Sequence, residues 1–425
     1  MNVRIGNTSL DLFFKQIDYL IILSIFLLIP IDLLNGFFIN NGLHFKFSVA
    51  QLYKFYLLIV IFIALFQNPK YIEYLGIIFV LLFISSVLSA FQLNSVSFFS
   101  FDIIKIVRYL TVVVTFFYFK NFFQQRGYYA LKYVKKILLV SYILIATSIL
   151  LKYLGFGYPM YAYGNLGSKG MFSAGNEVSV LTITISSLIG LFIWKEKKIM
   201  LYIIFFIFNL IVGLAIGSKT ASVGSIIMLS LIPLRPPSLR INFKRFFIIS
   251  GTILTLIPAI LYFSWKYISS SSIYIRIYYF YDKFDIYTFL LSSRNVFLEE
   301  SFTVYKESYN LLEKIFGVGE SRYLNLNLDK AVESDFFDIF FAYGVVGALL
   351  FVFFIGFLLV QFRLFSKAKF TSYPFANFGI LILIFLVIVS TLAGHTFSSG
   401  MAAPFIGLAL ALPYFKKEND ANSIS

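Results

Sequence analysis

Residues 336–361 read FFDIFFAYGVVGALLFVFFIGFLLVQ, with Asp338 the only charge. About 20 consecutive apolar residues suffice to cross the hydrocarbon core of a bilayer. The stretch therefore predicts a membrane helix and sets the fold class: an all-α polytopic membrane protein. Comparable runs precede it at Ile17–Leu34, Phe47–Phe66, Ile72–Phe91, Phe101–Phe119, Ile137–Leu154, Val178–Trp194, Ile199–Ile216, Lys219–Leu234 and Phe246–Phe263. Two more follow at Phe375–Ala393 and Phe397–Tyr414, for a total of about twelve spans. Composition agrees, since 60% of the 425 residues are hydrophobic and 13% charged, against nearer half and a quarter in soluble domains. A soluble enzyme, a disordered chain and an ordinary nucleic-acid-binding domain are excluded. The chain has no Cys and two His, which removes disulfides, thiol nucleophiles and the usual ligands of a zinc site.

The net charge of +15 is read as membrane topology rather than as a nucleic-acid footprint. With a cytoplasmic N-terminus, twenty Lys and Arg fall in cytoplasmic segments, among them Lys120, Arg126, Lys135, Lys195, Lys198, Arg363 and Lys417. Only Lys46, Lys152, Lys169 and Lys219 fall in short outer loops. Basic residues resist translocation, so this asymmetry predicts both the span count and two cytoplasmic termini. The first apolar run has Asp18 before it and no small-residue cleavage site, so it reads as a span and not as a signal peptide. The expected organisation is residues 1–263 as spans one to nine, 264–335 as a large outer loop, 336–415 as spans ten to twelve and 416–425 as a cytoplasmic tail. No internal repeat of the transporter kind is visible.

A loop of some seventy residues is far longer than an ordinary connection and reads as functional. It begins with an aromatic stretch, Tyr262–Phe289, containing Trp265, Tyr267, Tyr274, Tyr278, Tyr279, Tyr281 and Tyr287. An interfacial helix and a sugar-stacking surface are both consistent with it. Next come Ser293-Arg294-Asn295, a predicted helix over Val296–Lys314, and a Gly317-Val318-Gly319 turn that needs glycine flexibility. The segment closes with Glu333-Ser334-Asp335 entering the tenth span, which carries Tyr343-Gly344-Val345-Val346-Gly347.

An Arg followed about 23 residues later by Gly-x-Gly, then a polar pair opening a helix with Gly-x-x-Gly, resembles the O-antigen ligase/polymerase superfamily of bacterial surface polysaccharide assembly. Phe172-Ser173-Ala174-Gly175-Asn176-Glu177 is similar to that family's outer-loop Asn motif, and Gly217-Ser218-Lys219-Thr220-Ala221 sits where it often has Ser-Arg-Gly/Thr-Ala. The motifs cover roughly Gly155–Gly347; the remainder agrees by topology only. Many ligases of the family open the tenth span with His-Asn. Here Glu333, Ser334 and Asp335 stand in that region, which favours a polymerase. Lys219 replaces an Arg, keeping the cation and losing its two-pronged fork.

The resemblance implies a multi-pass protein of the bacterial plasma (inner) membrane whose donor is a polyprenyl-diphosphate-linked oligosaccharide. A sugar hydroxyl of the acceptor attacks the anomeric carbon, and the lipid diphosphate leaves. Repeat units would thereby be polymerised into O-antigen, capsule or exopolysaccharide at the outer face. Membrane lipid and a chain-length regulator protein are the implied partners; no nucleic acid, cofactor or metal is implied. Fixed cations must stabilise the leaving diphosphate, and a base must take the hydroxyl proton. Arg294 is the first candidate for the diphosphate, with an ion pair to Glu299 or Glu300 as its competing role. Lys219 is the second, against a snorkelling end residue. Glu333 and Asp335 are the candidate bases, with helix capping by Ser334 or Asp335 as the alternative. Asn176 and Glu177 join the substrate-binding set. His395 joins it as an acid/base group or as a satisfied loop His.

Lys105 and Arg108 stand out without any family. They lie inside the fourth span, roughly 6 and 10 Å deep and on one helix face. Charges at that depth face a cavity or a partner. A pair between Asp102 and Lys105 would leave Arg108 over for a cavity. Two other readings share the composition: a ligase that moves glycan to a different acceptor, and a flippase for lipid-linked oligosaccharide. The long outer loop and the absence of related halves count against the flippase.

Overall fold

The computed structural model describes residues 8–43, 48–93, 96–161, 163–234, 251, 283, 285–367 and 372–417. Among these are fourteen α-helices and no strand, only two isolated bridges in the 158–170 loop. In chain order the helices are α1 (Thr8–Asn40), α2 (Val49–Leu65), α3 (Pro69–Leu93), α4 (Phe99–Leu151), α5 (Gly175–Lys195), α6 (Ile199–Ile216) and α7 (Lys219–Leu234). Then come α8 (Ile286–Leu291), α9 (Arg294–Ser308), α10 (Leu311–Phe316), α11 (Gly319–Leu326), α12 (Asp335–Lys367), α13 (Ala376–Leu392) and α14 (Ala403–Ala411). Six of the described helices are long and apolar enough to cross a membrane, namely those in α1, α3, α4, α5, α6 and α12. Shorter apolar helices are α2, α7, α13 and the segment Ala403–Tyr414. The expected ninth span, Phe246–Phe263, lies outside the described residues except for Gly251, and most of the aromatic stretch from Tyr262 lies outside them too, as do His44 and Lys46.

The helices sort into an enclosed centre and a lipid-like exterior. Residues 178–192 of α5 and all of α14 are buried. By contrast, α6 turns Ile203, Ile204, Ile207, Ile211 and Leu214 outward, and α12 turns out Leu349, Val352, Phe353 and Val360. Apolar side chains facing outward along whole helices suit hydrocarbon and not water. Several charges within the spans are paired. Lys54 of α2 meets buried Asp32 of α1 at 2.5 Å, and Arg126 meets Asp18 at 3.0 Å.

The connections divide between two ends of the bundle. At one end Lys135 and Lys198 pair with Glu196 at 2.6 and 2.8 Å. These lysine hydrogen bonds, Lys135 first, hold its carboxyl at about 2, so it stays ionised. Lys195 donates to the Pro374 carbonyl, and Lys120 lies over the rings of Tyr71 and Tyr414. At the other end Asn40 donates to Phe172 O (3.1 Å), Ser168 N–H to Ile216 O (3.1 Å) and Ser321 N–H to Asp102 (2.8 Å). The fourth and fifth expected spans form one continuous helical stretch, α4, broken by Gly127 (φ 48°, ψ −123°). Asp102 near its start contacts α11 and Ser148 near its finish contacts the 158–170 loop's continuation at Met171, both at the second end, so the chain folds back at Gly127. The end of α7 packs by Leu229 against Tyr202 and Gly190 at the first end, whereas α8–α11 lie at the second.

The described part of the large loop is helical. The single helix expected over Val296–Lys314 is two, α9 and α10. The break falls at Asn310, whose side chain accepts from Glu313 N–H while Glu313 accepts from Asn310 N–H. That reciprocal cap starts a new helix where the sequence pattern shows no interruption. α10 then docks on α12 through two glycines. A Cβ on Gly317 would lie 2.2 Å from Ala342 O, and one on Gly344 would lie 2.5 Å from Gly317 N. Both have positive φ, 84° and 66°. The Gly-x-Gly and Gly-x-x-Gly motifs are therefore two sides of one backbone contact, and it fixes the outer helices on the bundle.

Candidate active site

At the second end of the bundle, two adjoining clefts of about 840 and 780 Å³ share Tyr161 and Asn176 as their common wall. The first is lined by Lys105 and Arg108 of α4, by Glu177 at the start of α5, and by His395 and Ser398 of the α13–α14 loop. The second is lined by Ser179 of α5, by Ser218 and Lys219 where α7 begins, and by Arg294, Glu333 and Gly394. Seven of the sequence candidates besides Asn176 thus reach the clefts. The eighth, Asp335, does not.

Arg294, the first residue of α9, is held by two chain segments at once. Its Nε donates to Glu333 O (2.9 Å), one terminal nitrogen to Glu333 Oε2 (2.8 Å) and the other to Leu392 O (3.1 Å). Its pairing is with Glu333, and the expected ion pair with Glu299 or Glu300 does not form; those residues lie further along α9 on its exposed face. Three of the five guanidinium N–H bonds are used, which leaves one on each terminal nitrogen. The Glu333 side chain keeps 43% of its exposure and its backbone has φ 59°. Gly394 stacks on the Glu333 peptide so closely that a Cβ would lie 1.8 Å from Glu333 O.

Asp335 is 1% exposed and lines neither cleft. Its Oδ2 accepts from Thr396 N–H and Phe397 N–H, both at 2.8 Å; its Oδ1 accepts from Ser398 Oγ (2.6 Å) and Ser398 N–H (3.3 Å). The capping expectation is corrected with it: the Asp335 carboxylate serves the 396–398 loop, and the buried Ser334 hydroxyl has no partner among the described residues. Glu177 does similar work, its Oε2 accepting from Ser399 Oγ (2.7 Å) and Met401 N–H (3.0 Å). Two carboxylates thus shape the loop that carries His395, itself at φ 49°. Backbone N–H groups buried beside helix ends need such acceptors.

The α4 cations are also arranged differently from expectation. Asp102 does not pair with Lys105. It is fully buried and accepts from Ser86 Oγ (2.6 Å) and Ser321 N–H (2.8 Å). Lys105 pairs instead with Glu320 of α11 at 2.8 Å. Glu320 is 2% exposed and was not singled out from the sequence. A buried acid directly after Gly-x-Gly, with an unmatched lysine in a span, is the signal that could have found it. Arg108 makes no ion pair or hydrogen bond among the described residues. Below Glu320, Tyr323 donates to Asp338 Oδ1 (2.9 Å) and accepts from Val332 N–H (3.0 Å). Burial pushes the Tyr323 phenol above its ordinary value, so it remains a donor. No group of three or more His, Cys, Asp or Glu that could hold a metal occurs among the described residues.

The clefts therefore combine four cations from three helices, two carboxylates and an imidazole. Such a set can bind a polyanion and move one proton. Residues 281–414 match the family described as O-antigen ligase like membrane protein, as the sequence motifs implied. The match takes in Arg294, Glu320, Glu333, Asp335 and His395 and stops short of the cations on α4 and α7. No curated protein and no solved structure matches the chain.

Proposed function

We propose that this multi-pass membrane protein, O-antigen ligase-like in its C-terminal third, polymerises polyprenyl-diphosphate-linked oligosaccharide repeat units into a surface polysaccharide. The observation that carries the reading is the convergence of Lys105, Arg108, Lys219 and Arg294 on two clefts with a common wall. A leaving diphosphate needs fixed positive charge, and preorganised cations stabilise it without reorganisation cost. An acceptor sugar oxygen bonds to the donor's anomeric carbon, and the bond from that carbon to the diphosphate oxygen breaks with its electron pair on the diphosphate. The hydroxyl proton passes to Glu333, whose Oε1 takes no hydrogen bond among the described residues. Arg294 keeps that carboxylate in place. The basic end of the bundle is cytoplasmic, both termini with it, and the clefts face outward.

The test is incubation of the purified protein with lipid-linked repeat units in detergent. A ladder of longer products supports polymerisation, and a chain-length regulator protein added to the assay should narrow it. The family description, together with His395 in the first cleft, favours one second reading: transfer to a different acceptor, as in a ligase. That reaction gives a single product and no ladder. Absence of any covalent product would leave the flippase.

A further inference from the structure

α10 is built inside out for a helix in water. Leu311, Leu312 and Ile315 lie within about 100° of helical arc, and all three are exposed, Leu311 by 74%. Glu313, on the opposite side of the helix, is 2% exposed. Its carboxylate accepts from Arg322 at 2.5 Å and from Asn310 N–H at 2.7 Å. A surface helix in water turns its charges outward and its leucines inward. Here two partners hold a carboxylate inside while three large aliphatic side chains stand outside. Single exposed apolar residues are ordinary, but three on one side of a six-residue helix form a patch, and such patches mark a contact.

The place of α10 in the bundle identifies what the patch meets. A Cβ on Gly344 would lie 2.4 Å from Ile315 O, and the residues after Gly344 on α12 include the outward-facing Val345 and Leu349. On the other side, Arg322 donates both to Glu313 and to Gln92 of α3, and Phe91 and Leu93 beside Gln92 are exposed. α10 therefore joins the ends of two helices that are long and apolar enough to cross a bilayer. Lys314 lies 5.8 Å from the centroid of the Tyr305 ring and donates to Lys306 O (3.3 Å). Tyr is favoured at the headgroup level, and Lys reaches it by snorkelling. We infer that α10 is an interfacial anchor, its Leu311–Leu312–Ile315 face entering the acyl boundary of the leaflet at the cleft end of the bundle. The occupant is bilayer lipid and not another protein, because the patch adjoins the lipid-facing surfaces of α3 and α12. The anchor does not depend on which reaction the clefts perform. Its consequence is mechanical. α10 continues through Gly317 into α11, whose Glu320 holds Lys105 at the first cleft, so the leaflet fixes the height of that cleft wall above the acyl chains.

The chain has no Cys, so a bimane fluorophore can be placed on single cysteines of the full chain in phosphatidylcholine nanodiscs. Leu311→Cys, Leu312→Cys and Ile315→Cys are compared with Glu300→Cys on the exposed face of α9 and with Phe353→Cys on the outward face of α12. The quenchers are phosphatidylcholine spin-labelled near the top of its acyl chain, the same lipid labelled near the chain's middle, and aqueous iodide. The α10 probes should be quenched at least about twofold more by the shallow lipid label than by the deep one, because an interfacial face sits roughly 5–10 Å into the headgroup/acyl boundary. Phe353→Cys should show the reverse order, and Glu300→Cys should respond to iodide alone. Three α10 positions are used so that one variant failing to fold leaves the other two to decide. Iodide quenching of the α10 probes equal to that of Glu300→Cys would put the face in water and overturn the anchor. Protection from iodide and from both lipid labels would put protein over the face and overturn it equally. Quenching in the order of Phe353→Cys would place α10 in the hydrocarbon core and refute the interfacial position.

Discussion

Arg294→Lys keeps the charge and removes the fork, and its consequences follow from three distances. The guanidinium reaches Glu333 O at 2.9 Å, Glu333 Oε2 at 2.8 Å and Leu392 O at 3.1 Å. An ammonium is a point charge on a flexible stem and cannot serve three acceptors on two chain segments with that planar spread. At least one carbonyl loses its donor, and the Glu333 carboxylate loses its fixed orientation. The stability cost is small. Charge-assisted hydrogen bonds contribute about 1.5–3 kcal/mol each, but the Glu333 side chain is 43% exposed and water takes up much of the loss. About 1 kcal/mol is the expected scale. The catalytic cost is larger, because a base displaced by about 1 Å loses on the order of 100-fold in rate, or about 2.7 kcal/mol. The assay is the initial rate of ladder formation at varied donor concentration, with a melting curve beside it. A fall of about 100-fold in kcat at nearly unchanged KM and Tm is expected. A kcat within about threefold of wild type, or a rise in KM alone, would refute the positioning argument; the second result would return Arg294 to the bound lipid.

Glu333→Gln should fold normally and lose polymerisation, because the amide is nearly isosteric and a poor proton acceptor; an unimpaired ladder sinks the base assignment. Asp335→Asn should lower stability by about 3 kcal/mol, because an amide NH₂ would face one of the N–H groups that the carboxylate now accepts; a neutral result in thermal unfolding would mean that the 396–398 loop does not depend on this anchor. Gly394→Ala should abolish activity at near-normal expression, since a Cβ 1.8 Å from Glu333 O at positive φ forces the two loops apart; wild-type turnover would show that the Glu333 peptide can move freely. The chain has no Cys, so single cysteines report topology cleanly: Asn310→Cys should react with an impermeant maleimide added outside intact cells and Lys197→Cys should not, while the reverse pattern inverts the bundle.

The spans were legible because a bilayer demands long uninterrupted apolar runs, and such runs survive any packing arrangement. The fold-back within α4 was legible only as two spans, since Gly127 sits in a polar stretch that stays helical on both sides. The outer helices were less legible. α10 and α11 are six and eight residues long, too short to show a period, and they are held by tertiary contacts such as Gly317 on Ala342 and Ser321 on Asp102. In the site, individual cations could be read from their cost in a membrane, but their partners could not. Glu320 lies 215 residues from Lys105 and Glu333 lies 39 from Arg294, and nothing local encodes either pairing. Asp335 misled for a related reason: its position beside a helix start suggests capping, whereas its acceptors are used by a loop 61–63 residues later.

Choosing among the carboxylates at the clefts is a question of which lone pairs remain and on which side they stand. Asp335 has four donors on two oxygens and almost no exposure, so protonating it would release the loop that carries His395. Glu320 is buried behind Lys105 and neutralises it. Glu177 lines the first cleft with one oxygen bound to the 399–401 turn, and it stands on the same side as Arg108. A base there would face the departing diphosphate, where two anions repel and a proton gained from the acceptor would sit beside the wrong oxygen. Glu333 lies across the Tyr161–Asn176 wall, with one oxygen clamped by Arg294 and the other free of protein donors. Displacement at an anomeric carbon with the nucleophile entering opposite the leaving group needs the base and the cations on opposite sides of the sugar. Only Glu333, paired with Arg294 in one cleft while Arg108 stands open in the other, meets that requirement. The same geometry implies that the new glycosidic bond has inverted configuration at the donor carbon, and product stereochemistry by NMR would decide it: retention would require a carboxylate to attack that carbon first from the face opposite the diphosphate and form a covalent glycosyl-enzyme, which would make Glu333 the nucleophile.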